Sequence, residues 1–283
     1  GGGAAGHAAA EMLRRRRYEG SIVMLSEDDA PPVDRPNLSK DYLDGSAPED
    51  WVPLRPRDYY AEQRIDLRLD SRVAAIDTQA REPELGEGSR VAFDRLLLAT
   101  GAEPVRLTIP GMDLPHVHTL RSLADTRAII AGAATARSAV VMGAGFIGLE
   151  VAASLRKRGL EVHVVAPDKR PMERMLGPEM GDFVRGLHEA HGVVFHLEDA
   201  ATAIEAHQVR LGGGTAIAAD LVVVGVGGAA GAAVAGKARL AHDRGVVVDA
   251  RLGTSVAGIY AAGDIARLPD PHSGESMRVE HWV

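Results

Sequence analysis

The sequence predicts an α/β protein built from two Rossmann-like, three-layer nucleotide-binding domains, one inserted into the other. Three observations carry this. The pattern G-x-G-x-x-G occurs twice, at Gly1, Gly3, Gly6 and at Gly143, Gly145, Gly148. Each copy leads into a helical stretch, then a short apolar strand, then an acidic residue. Unbroken apolar runs such as Leu96–Leu98 and Leu221–Val224 read as parallel strands buried on both faces.

Taken in order, an Ala-rich helical pattern runs from His7 to Arg17, and Ser21–Leu25 is the first buried strand. Residues 30–57 are rich in Pro, Asp and Ser, with weak helical signals at Ser39–Leu43. Trp51 and several leucines mark this stretch as a functional excursion and not a linker. A strand at Arg95–Thr100 ends on Gly101. Gly111 and its flanking prolines mark a boundary. Ala139–Met142 is a strand, Leu149–Arg158 a helix closed by Gly159, and Val162–Val165 the next strand. Leu221–Val224 and Val246–Val248 are further strands, and Ile259–Asp264 reads as a last strand running into a helix. The expected division is a discontinuous first domain, 1–110 and 240–283, with 111–239 inserted. The first glycine loop has no strand before it, and the chain stops without a turn or cap signal. It therefore reads as a fragment, lacking the first strand and a C-terminal domain.

Composition narrows the chemistry. The 283 residues carry 32 basic and 39 acidic side chains, a formal charge of −7, which argues against a nucleic-acid partner. With no cysteine, the chain holds no disulfide, zinc-thiolate site or redox thiol pair. No apolar run reaches the ~20 residues a membrane span needs. No secretory leader is readable, so a cytoplasmic protein is expected. His188, His191 and His196 lack a completing ligand pattern, so no metal site is expected. His116 and His118 alternate as on a strand. Arg14–Arg17 reads as a solvated helix end.

Each glycine of the repeated motif has a task. The first permits a tight turn, the second lets backbone approach a pyrophosphate, and the third lets helix pack on strand. Ala4 and Ala5 belong to the first loop, Phe146 and Ile147 to the second. The free N–H groups at the helix start receive the anion. Glu27 and Asp168, each about twenty residues beyond its loop, are placed to accept ribose hydroxyls. Asp168 repels a 2′-phosphate, so NADH is expected over NADPH, although Lys169 and Arg170 stand beside it.

Ala99-Thr100-Gly101 after the RLLL strand and Gly263-Asp264 after IYAA complete an order that closely resembles the two-dinucleotide flavoprotein oxidoreductases, over essentially the whole chain. The resemblance implies FAD at the first loop and NAD(P)H at the second, with Asp264 on the FAD ribityl chain. It adds Val73, Ala99, Thr100, Gly101, Gly225 and Gly263 to the cofactor contacts. Arg35-Pro36-Asn37-Leu38-Ser39-Lys40 resembles a segment of the ferredoxin reductase and apoptosis-inducing-factor-like branch. Glu280-His281-Trp282 resembles its Rieske-associated members. In that branch the residues matching Lys40 and Glu150 pair beside the flavin, near the nicotinamide, and these two are the expected catalytic pair; Arg35 joins the cofactor contacts. Gly225-Val226-Gly227 departs from the branch by lacking its later Pro and Asn.

The function implied is an oxidoreductase that takes hydride from NADH onto FAD and passes electrons singly to an iron–sulfur acceptor, a ferredoxin or Rieske domain. The alternative is an NADH-sensing flavoprotein that acts as a redox-controlled binding or signalling module. A homodimer is compatible with either.

Overall fold

The computed structural model describes residues 1–231 and 233–279. They form two compact units. One comprises Gly1–Asp34, Pro53–Glu103 and Ala229–Val283, the other Arg35–Val52 and Pro104–Gly228.

In the first unit the helix Ala4–Arg15 follows the glycine loop directly. Ile22–Leu25 pairs in parallel with Ile65–Arg68, and Leu96–Leu98 with Ile259–Ala261. Among the described residues neither pair is hydrogen-bonded to a further strand. The loop reaches the carboxyl ends of both. A Cβ on Gly1 would lie 2.1 Å from the Ala99 carbonyl oxygen, and one on Gly2 2.3 Å from Ser26 Oγ. One apolar cluster gathers Ala10, Met24, Tyr60 and Ile65, and a second Leu98, Leu240, Ile259 and Ile265. After Ala261 the chain makes a turn and enters a strand, Ala266–Pro269, where the sequence predicts a helix. Pro269 and Pro271 withhold the N–H groups a helix there would use.

The second unit is centred on a five-stranded sheet. Its order is Val193–Leu197, Glu161–Ala166, Ser138–Met142, Leu221–Val224, Val117–Thr119, with every neighbouring pair parallel. Val140, Val162, Val164, Val222 and Val223 are fully buried, which explains their unbroken apolar runs. The helix Phe146–Lys157 makes the crossover from the central strand to its neighbour. A three-stranded antiparallel sheet, from Ala201 to Ala218, shares an apolar cluster with the parallel sheet through Ile204, Val209, Val140 and Val222.

Arg35–Val52 falls in this second unit, and the other limits lie at 103/104 and 228/229 instead of 110 and 240. Hydrogen bonds explain the first difference. Thr126 Oγ1 donates to the Leu38 carbonyl at 3.2 Å, and Ser154 Oγ to the Ser39 carbonyl at 2.7 Å. Lys157 Nζ meets Asp44 Oδ2 at 2.9 Å. Leu38 and Leu43 are buried, whereas Trp51 is 72% exposed.

Candidate functional site

The two glycine loops have the same internal geometry. A Cβ on Gly6 would lie 2.1 Å from the Gly1 carbonyl oxygen, and one on Gly148 2.1 Å from that of Gly143. Each loop thus folds back on its own first glycine so closely that only hydrogen fits. Neither helix has a side-chain cap or an acidic residue in its first turn. The N–H groups at both starts are left to an incoming anion.

Gly143 has φ +107°, a left-handed conformation that suits glycine, and its Cβ would meet the Gly225 oxygen at 2.4 Å. Gly225 N–H in turn donates to the Met142 carbonyl at 2.8 Å. Gly143 and Gly225 therefore lie side by side at the carboxyl ends of two adjacent central strands, the end of an open parallel sheet at which nucleotides bind. A Cβ on Gly145 would meet nothing within 4 Å. Nothing in the chain itself therefore requires a glycine there. Phe146 and Ile147, 53% and 44% exposed, flank that opening. The second loop thus fits a dinucleotide pyrophosphate. The first, with the same fold-back, fits another.

The acidic residues are in place at their strand ends. Asp168 follows Glu161–Ala166 and is paired to Arg174 Nε at 3.2 Å. Arg170 is committed elsewhere, to Asp182 at 2.7 Å and Glu173 at 3.2 Å. Glu27 follows Ile22–Leu25 and pairs with Arg72 Nη1 at 2.8 Å, both exposed.

In the second unit Lys40 and Glu150 meet, Nζ to Oε1, at 2.9 Å. Ser39 Oγ holds the other carboxylate oxygen, Oε2, at 2.5 Å. Glu150 lies on the helix that opens at the second glycine loop, and Ser39 and Lys40 reach it from the turn Arg35–Ser39 and the residue after it. Arg35 opens the short 3₁₀ turn Arg35–Ser39 and donates to the Arg121 carbonyl.

In the first unit Ala99 and Thr100 lie beside the first loop, with Ala99 against both Gly1 and Gly6, and Gly101 follows them beside Gly231. Thr100 Oγ1 donates to the Gly231 carbonyl at 3.1 Å. Gly263 has φ +76°, and a Cβ there would lie 3.0 Å from that of Ala5, so the turn before Asp264 packs against the same loop. Val73 begins the hairpin strand Val73–Asp77. Glu280, His281 and Trp282 lie outside the described residues. Among the described residues no three His, Cys, Asp or Glu could hold a metal, and no helix is long and apolar enough to cross a membrane.

Sequence reasoning missed Ser39, Ser154 and Arg174. Two of them left a signal. Ser39 lies inside the R-P-N-L-S-K segment, and Ser154, four residues beyond Glu150, shares its helix face.

A duplicated dinucleotide cradle, with a charged trio beside one copy, defines a pyridine-nucleotide-binding oxidoreductase. Comparison with known proteins agrees. Residues 1–283 match the family model for pyridine nucleotide-disulphide oxidoreductases, and the chain belongs to that family. It is 39% identical to rhodocoxin reductase of Rhodococcus erythropolis, over 99% of this chain and 67% of that protein. It is 36% identical to the ferredoxin–NAD(+) reductase subunit of the benzene 1,2-dioxygenase system of Pseudomonas putida, over 100% of this chain and 70% of that one. Among solved structures, the covalent putidaredoxin reductase–putidaredoxin complex matches with a TM-score of 0.95 and 32% identity, covering 99% of this chain and 70% of that one.

Proposed function

We propose that the chain is the nucleotide-binding part of an FAD-dependent reductase that oxidises NADH and delivers electrons one at a time to an iron–sulfur protein, a ferredoxin or a Rieske domain. The observation that carries this is the duplicated cradle, one per unit, with the same glycine fold-back. Two cradles suit two dinucleotides. The relatives, reductases of rhodocoxin and of a dioxygenase system, support the acceptor class. When bound, FAD supplies the acceptor for a hydride and the capacity to release electrons singly.

The chain's own residues bind and orient. Gly1, Gly3 and Gly6 with Ala4 and Ala5 would hold the FAD pyrophosphate, and Glu27 its ribose hydroxyls. Val73, Ala99, Thr100, Gly101, Gly263 and Asp264 would complete the FAD contacts. Gly143, Gly145 and Gly148 would hold the NADH pyrophosphate, with Phe146, Ile147 and Gly225 at the opening and Asp168 on the adenosine ribose. Lys40 and Glu150 would orient the nicotinamide end. These 283 residues contain no cysteine and so supply no thiol pair to relay electrons. The relatives' electron-transfer names support a cytoplasmic location.

The test is anaerobic mixing of the FAD-loaded protein with NADH and an oxidised [2Fe–2S] ferredoxin. Reduction of the ferredoxin at many turnovers per minute supports the reading. Flavin reduction without onward transfer to ferredoxin or rubredoxin sinks it.

A further inference from the structure

We infer that Ser39 is a positioning residue that fixes the direction of the Glu150 carboxylate; this rests on the reading that Lys40 and Glu150 serve the NADH site. The carboxylate is held from both sides. Lys40 Nζ takes Oε1 at 2.9 Å, and Ser39 Oγ takes Oε2 at 2.5 Å.

The two partners are unequal. The Lys40 side chain is 46% exposed and reaches Glu150 along four rotatable bonds. Ser39 is 5% exposed, and its hydroxyl stands one torsion from a backbone that Ser154 Oγ grips at the Ser39 carbonyl. A hydroxyl has one hydrogen to give. The Pro36 carbonyl oxygen is also near Ser39 Oγ, at 3.3 Å. The carboxylate is closer and charged, so it accepts the hydrogen bond. Lysine therefore supplies charge, and serine supplies direction. Without the hydroxyl, the carboxylate is free to turn both oxygens toward Lys40. The ammonium is then drawn down onto the helix and away from any nucleotide.

The test combines Ser39→Ala with Ser39→Cys, which keeps the size but replaces a strong donor by a weak one. Each is also made in a Glu150→Ala background. In the FAD-loaded protein, either Ser39 variant should slow flavin reduction at saturating NADH by about tenfold, the effect of one hydrogen bond to a charged group. Calorimetric titration with NAD+ should show affinity weakened several-fold. Both losses should vanish when Glu150 is already Ala. Urea unfolding of the apo protein should show the same non-additivity. A loss that persists in the Glu150→Ala background would make Ser39 merely structural and overturn the inference. So would Ser39 variants within about twofold of the parent while Lys40→Ala and Glu150→Ala are slow. If Lys40→Ala and Glu150→Ala are themselves silent, the reading beneath falls and takes the inference with it.

Discussion

The hydroxyl of Ser154 donates to the backbone carbonyl of Ser39 at 2.7 Å, across more than a hundred residues of sequence. That bond joins the excursion after the first acidic strand end to the helix that opens at the second glycine loop. Thr126 to the Leu38 carbonyl and Lys157 to Asp44 act alongside it. Together they carry Lys40 to Glu150 inside one compact unit.

Lys40→Ala and Glu150→Ala should each slow flavin reduction by NADH at least tenfold while FAD stays bound. The pair is partly exposed, at 46% and 28%, so its loss should cost under about 1 kcal/mol of stability. Stopped-flow reduction beside thermal melts separates the two effects. Reduction rates and NADH affinities within about twofold of the parent in both variants would remove the pair from the mechanism.

NADH should be used at least tenfold better than NADPH, measured as kcat/KM. Asp168 stands at its strand end, and Arg170 is held by Asp182 and Glu173, which keeps it off a 2′-phosphate. Arg174, 87% exposed and paired to Asp168, and the adjacent exposed Lys169 are the cations that could turn toward a phosphate. Asp168→Ser should therefore narrow the preference, and Arg174→Ala should widen it. Equal constants for the two nucleotides in the parent would refute the assignment of Asp168.

Burial holds the His7 imidazole below its ordinary value of 6.5, and Tyr60 OH lies 3.0 Å from its Nδ1. A neutral ring protonated on Nε2 accepts that hydroxyl. As pH falls through 6.5 the unfolded chain takes up a proton that the folded chain refuses. The contribution is thus fully present above 6.5 and is lost as pH drops toward the folded value. His118, His188 and His196 are shifted the same way by burial. Urea unfolding at pH 7.5 and 5.5 should show the parent losing more stability than His7→Gln over this interval. An equal loss in both would exclude His7 as a source of the dependence.

The glycine motifs, the buried strands and the acidic strand ends were legible because each depends on local chemistry. A Cβ clash at Gly148 or a fully buried Val222 leaves its mark within a few residues. What was not legible depends on partners far away. Nothing near Arg35–Val52 says that Ser154 and Thr126 will hold it to the second unit. Nothing near Asp168 says that Arg174 will pair with it and Arg170 will not. Ala266–Pro269 is a strand where the sequence predicts a helix, because its pairing with Val246–Val247 and Ser276–Arg278 depends on residues outside the local pattern.

The first cradle should hold FAD tightly and without a covalent bond, and Gly6→Val should abolish that binding. Gly6 packs so closely that a Cβ there would stand 2.1 Å from the Gly1 carbonyl oxygen and 3.5 Å from the Ala99 side chain. A valine must push the helix Ala4–Arg15 away from the loop, which takes its N–H groups off the pyrophosphate position. Overpacking of this kind costs about 1–3 kcal/mol, so the variant should still fold. The matching change in the second loop, Gly148→Val, should leave FAD in place and weaken NAD+ instead. Flavin absorbance of each purified protein, before and after denaturation and filtration, reads the first effect, and calorimetric titration with NAD+ reads the second. Yellow protein from Gly6→Val with a full complement of releasable FAD would show that the first loop does not carry the cofactor.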